Sequence, residues 1–122
     1  MRLFGGFRSR ERDNATDIAR IGPILDAVRA AGRAAEAELG GLKARLADVG
    51  ARAAFLVGPD LESEALADPA NKTRLDEMES EMKRGGMRRR YLERQVRILG
   101  EVAGVLSAVT GPAHGSAAAG RR

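Results

Sequence analysis

Twelve apolar or small residues recur at alternating steps of three and four along the first half of this chain: Ile18, Ile21, Leu25, Val28, Gly32, Ala35, Leu39, Leu42, Leu46, Val49, Ala53 and Leu56. A strand alternates its side chains every second residue and cannot keep such a period. A repeat of about 3.5 residues marks a helix that packs along its length against another helix in a left-handed crossing. The partner is in the same chain. Leu75, Met78, Met82, Gly85, Arg89, Leu92, Val96, Leu99, Ala103 and Leu106 step in the same way.

Two long amphipathic segments joined by a short tip must run antiparallel to meet. At 122 residues and 3% aromatic, the chain has room for one small domain with a thin core. The expected fold is therefore all-α: an antiparallel two-helix hairpin, coiled-coil-like, associating into a helical bundle, with disordered basic tails. Residues 1–16 read as a basic N-terminal tail or interfacial segment, 17–110 as the hairpin, and 111–122 as a disordered C-terminal tail. Within the hairpin the first helix is expected over about 23–57, because Pro23 in a helix interior removes a backbone donor, so a break or kink is expected at Gly22-Pro23. Gly58-Pro59 suits the end of that helix and opens an acidic tip, 58–68. Asp68-Pro69 suits the N-cap and first position of the second helix, over 69–109, and Gly111-Pro112 suits its end.

Folding the hairpin about residue 63 sets Gly40 and Gly41 against Gly85 and Gly86, and Gly22 against Gly104. A waist of close backbone approach, or a hinge, is the expected reason for these glycines. The same register sets Glu38 near Arg88, Glu36 near Arg90 and Arg45 near Glu81. Between Tyr91 and Val109 the apolar residues cover more than the single stripe a hairpin partner can bury. Ile98, Val102, Val105 and Val109 are accordingly the expected oligomer interface, in a homo-oligomer. Burial against the segment around Ile18 and Ile21 is the competing expectation.

The net charge of +4 and pI near 10.3 invite a nucleic-acid reading. Yet the excess sits in the tails, since residues 1–12 and Arg121-Arg122 carry a net +5 and residues 13–110 a net −1. Inside that body the signs are segregated, with a net −6 over 60–81 followed by +6 over 83–97. Arg88, Arg89, Arg90, Arg94 and Arg97 are the expected electrostatic contacts. With Tyr91 the one aromatic residue among them available for stacking, nucleic acid is not the expected partner. An acidic tip on an antiparallel coiled coil is similar in shape and charge to the secondary-channel regulators of bacterial RNA polymerase, without their zinc knuckle or second docking domain.

Catalytic chemistry has little to work with. There is no Cys, and the single His114 lies in a Gly/Ala tail with no candidate partner. Asp60, Glu62 and Glu64 have the spacing of a calcium loop, but Ala65 and Asn71 stand where such a loop needs Gly and Glu. Glu77 and Glu81 share a helix face without the Glu-x-x-His motif of a di-metal site. No phosphate-binding Gly loop occurs. No enzyme activity, cofactor or metal is expected.

At the N-terminus Leu3, Phe4 and Phe7 alternate with Arg8 and Arg10, the composition of an interfacial segment that touches anionic lipid or a partner. The stretch RLFGGFRSRERDNATDIAR resembles the opening of the cell-division topological specificity factor family, over about 20 of 122 residues. That resemblance implicates Leu3, Phe4 and Phe7 in touching membrane; no strand-forming core of that family follows. No segment is long and apolar enough to span a bilayer, and no secretory h-region is present. A cytoplasmic protein is expected, peripheral to the inner membrane or part of a larger assembly such as a phage or secretion apparatus. The expected function is that of a structural, assembly or adaptor protein acting through protein contacts. A membrane-surface module and a helical chaperone for a partner protein are the alternatives.

Overall fold

In a computed structural model the chain forms two helices, α1 (Arg2–Val57) and α2 (Pro69–Thr110), packed against each other as an all-α hairpin. The structure describes the backbone of residues 2–58 and 67–111 and the side chains of 9–58 and 67–111.

The ends of the helices follow from local chemistry. Gly58 takes a left-handed φ of 76°, open to a residue without a Cβ, and its N–H donates to the Ala54 carbonyl at 3.0 Å. Asp68 caps α2: its Oδ1 accepts from the Ala70 N–H at 2.9 Å, and its carbonyl accepts the first helical bond, from Lys72, at 2.9 Å. Pro69 sits at the first position, where no donor is needed. At the far end the Gly111 N–H donates to the Ser107 carbonyl at 2.9 Å.

One boundary differs from expectation. α1 runs unbroken through Gly22-Pro23 and begins well before residue 23. Pro23 faces solvent, so the Ala19 carbonyl that loses its donor has water within reach, and the neighbouring turns supply the remaining bonds.

The chain divides into two compact units, a terminal unit (residues 1–34 and 96–122) and a central unit (35–95). In the central unit Ala35, Leu42, Val49 and Leu92 are buried, Val49 and Leu92 completely. All four are heptad residues, so the 3.5-residue period selects the inward face as expected.

Register is where the glycine expectation fails. Gly85 is buried, but a Cβ there would run into the Leu46 side chain, with Cγ at 3.1 Å and Cδ1 at 3.2 Å. Gly40, Gly41 and Gly86 have nothing within 4 Å of an added Cβ, and neither do Gly22 and Gly104. The helices are offset by about five residues, some one and a half turns, from the glycine-on-glycine alignment. A leucine knob over a glycine hole fills the seam better than two glycines, which would leave a void. In the terminal unit Leu25 is the buried apolar residue among the described ones, and an added Cβ on Gly32 would meet Leu99 Cβ at 3.9 Å.

Candidate functional site

The surfaces left open by this packing are the candidate site. In the terminal unit, Ile98, Val102, Val105 and Val109 remain 42%, 38%, 66% and 52% exposed. They step by four, three and four, so they line a second stripe of α2, beside the seam residues Leu99 and Leu106, which are half-buried. The competing expectation, cover from the segment around Ile18, is not met: Ile18 and Ile24 are themselves exposed, while Ile21 is half-buried.

The five expected electrostatic residues divide into two groups. Arg88 is tied to Glu38 across the hairpin, its Nη2 at 2.8 Å and Nε at 2.9 Å from the same carboxylate oxygen. Arg89 pairs one turn along α2 with Glu93 at 3.2 Å. Arg90, Arg94 and Arg97 are exposed and form no ion pair with any described residue. Of the three expected cross-hairpin pairs, Glu38–Arg88 is the one that forms among the described residues. Glu36 and Arg90 do not pair, and Arg45 and Glu81 line one groove of about 270 Å³ with Arg84, Gly85 and Arg88 without an ion pair between them.

Two features were not foreseen. Met87, Arg90, Tyr91 and Arg94 line a shallow groove of about 300 Å³ on the outside of α2. Further toward the tip, Phe55 is 90% exposed beside a groove of about 410 Å³ lined by Arg52, Leu56, Arg74 and Met78. The signal was available: Phe55 falls between the heptad positions Ala53 and Leu56, off the seam.

The side chains of Leu3, Phe4, Phe7 and Arg8 lie outside the described residues, as do Asp60, Glu62, Glu64 and His114; Arg10 is exposed. Among the described residues no three or more of His, Cys, Asp and Glu are grouped to hold a metal ion. No described helix is long and apolar enough to cross a membrane. No protein-family model, curated protein or solved structure matches the chain.

Proposed function

We propose that this chain is a structural, assembly or adaptor protein that works by associating with copies of itself and not by catalysis. The observation that carries the reading is the second apolar stripe of α2 in the terminal unit: Ile98, Val102, Val105 and Val109, all exposed in a unit where, among the described residues, Leu25 is the buried apolar side chain. Exposed β-branched residues at heptad spacing are suited to knobs-into-holes packing against another helix. A second copy brings the same stripe, and a two-fold arrangement satisfies both copies with one surface. Isolated exposed apolar residues need no explanation, but four at consecutive heptad steps on one helix do.

The test is sedimentation of the full chain over a hundredfold range of concentration. Mass rising above 13.0 kDa with concentration is expected for the native chain. A Val102→Asp, Val105→Asp variant is expected to associate at least tenfold more weakly with unchanged helix content, since neither side chain is buried in the single chain. A native chain that stays at 13.0 kDa throughout overturns the reading.

A further inference from the structure

The outer face of α2 in the central unit has a pattern that the apolar stripe does not account for. Asp76 and Arg94 lie 18 residues apart, five helical turns, and therefore on one line along the helix; Lys83 and Met87 fall on that line between them. Glu79 and Arg90 are 11 residues apart, about three turns, and form a parallel line beside it. All six are exposed; Asp76 and Glu79 border a groove of about 700 Å³ that they share with Ala53 and Ala54 of α1, and Arg90 and Arg94 line the groove with Met87 and Tyr91. Asp76, Glu79, Arg90 and Arg94 have no ion-pair partner among the described residues, in contrast to Arg88 and Arg89. Met87 and Tyr91, 56% and 60% exposed, provide apolar contact area between the Arg pair.

We propose that this face is a self-complementary docking surface for the same face of a second copy, antiparallel, about a two-fold axis near Gly85. In that register Asp76 meets Arg94 of the second copy and Glu79 meets its Arg90, and the symmetry repeats both pairs, so these four charges of each sign are matched, while Lys83 falls opposite Met87 of the second copy and keeps its charge toward solvent. Charge complementarity is what selects the occupant. A polyanion attracted to Arg90 and Arg94 would also meet two carboxylates on the same face, and an acidic peptide would leave Asp76 and Glu79 unmatched. The near neutrality of the body, with its −6 and +6 blocks side by side, is what such a surface requires. The proposal rests on the reading that the chain self-associates, but it names a contact separate from the Val102 and Val105 stripe.

Two charge-reversed full-length variants test it. Arg90→Glu with Arg94→Glu makes the face wholly acidic at these four positions, and Asp76→Arg with Glu79→Arg makes it wholly basic. Both variants also carry Val102→Asp and Val105→Asp, to remove the apolar stripe. Each alone is expected to sediment as a monomer, and the equimolar mixture to form a heterodimer at least tenfold tighter than either self-association, weakening between 50 and 500 mM salt. A mixture that associates no better than its components overturns the proposal. Because the chain lacks cysteine, a mixture of an Asp76→Cys chain with an Arg94→Cys chain gives a second measurement. A disulfide-linked heterodimer is expected to dominate over the Asp76→Cys homodimer, whose thiols this register separates by about five turns; a statistical mixture overturns it. If the charge-reversed pair forms but Val102→Asp, Val105→Asp leaves native self-association unaltered, the apolar-stripe reading falls and this one stands. The opposite result separates them the other way.

Discussion

Residues 35–95 bury Ala35, Leu42, Val49, Gly85 and Leu92, whereas in the terminal unit only Leu25 is buried among the described residues, although both units repeat apolar residues at the same steps. The difference lies in where the large apolar residues fall. In the central unit a large side chain sits over a small one, Leu46 over Gly85, and the seam closes. In the terminal unit Leu99 likewise lies over Gly32, but the large residues Ile98, Val102, Val105 and Val109 fall beside the seam and stay exposed. Heptad spacing therefore chooses the face of a helix that turns inward, and large residues that fall beside that face stay exposed even where the seam itself closes.

The sharpest break of this comparison is a truncation in each unit. Leu92 is fully buried, and Leu92→Ala is expected to destabilise the chain by about 2–5 kcal/mol through lost burial and a cavity. Val105→Ala removes a side chain that is two-thirds exposed and is expected to change the stability of the single chain by less than about 0.5 kcal/mol, while weakening self-association. Urea unfolding at a concentration where the chain is monomeric measures both. Equal losses at the two positions would show that Val105 is covered within the single chain, and the contrast between the units would disappear.

A second difference is local. Pro23 belongs to the terminal unit and leaves the Ala19 carbonyl without its helical donor. Because Pro23 is solvent-facing, Pro23→Ala restores the bond without a clash. The variant is expected to stabilise the chain by about 1–3 kcal/mol, the helix-interior penalty less the entropy that proline removes from the unfolded chain. Hydrogen exchange locates the effect: the amides near Ile21 to Asp26 are expected to gain protection and those near Leu42 and Leu92 to follow only the global change. A gain spread evenly over both units would mean that they do not open separately.

The hairpin, its caps and its inward faces were legible because each depends on local chemistry. Asp68-Pro69 carries its own cap, Gly58 its own left-handed turn, and the steps of three and four name the buried side. The exposed stripe Ile98–Val109 was legible for the same reason, as apolar residues in excess of one seam. Register was not. A shift of one and a half turns preserves the heptad pattern on both helices and changes only which residues oppose each other. Counting from an assumed tip therefore set the glycines together and paired Glu36 with Arg90. The Glu38–Arg88 pair forms despite the shift because each residue lies one turn before a buried leucine, Leu42 or Leu92, and so beside the seam, whereas Arg90 faces the outer groove of α2. Of the break or kink expected at Pro23, the break does not occur: sequence gives the lost bond but not whether the turns on either side hold the helix together.

The glycines sharpen the comparison at its finest scale, because they separate helix propensity from packing. Gly41 is exposed and an added Cβ meets nothing, so Gly41→Ala is expected to gain about 0.5–1 kcal/mol from propensity alone. The same holds for Gly86, which is half-buried but also has open space at that position. Gly85 differs from its neighbour by one step of the helix, and there the Cβ would displace the end of Leu46. Overpacking of that kind costs about 1–3 kcal/mol, enough to cancel or exceed the propensity gain, so Gly85→Ala is expected to fall between neutral and about 2 kcal/mol destabilising. Thermal unfolding of the three variants orders them. Gly86→Ala above and Gly85→Ala below the native chain would locate the leucine knob at residue 85. The reverse order would mean that the helices meet one residue out of this register, with the waist formed at Gly86. A Gly85→Ala, Leu46→Ala double variant completes the cycle: if Leu46 is what the methyl group meets, the two losses are less than additive, because the first alanine fills part of the space the second one vacates.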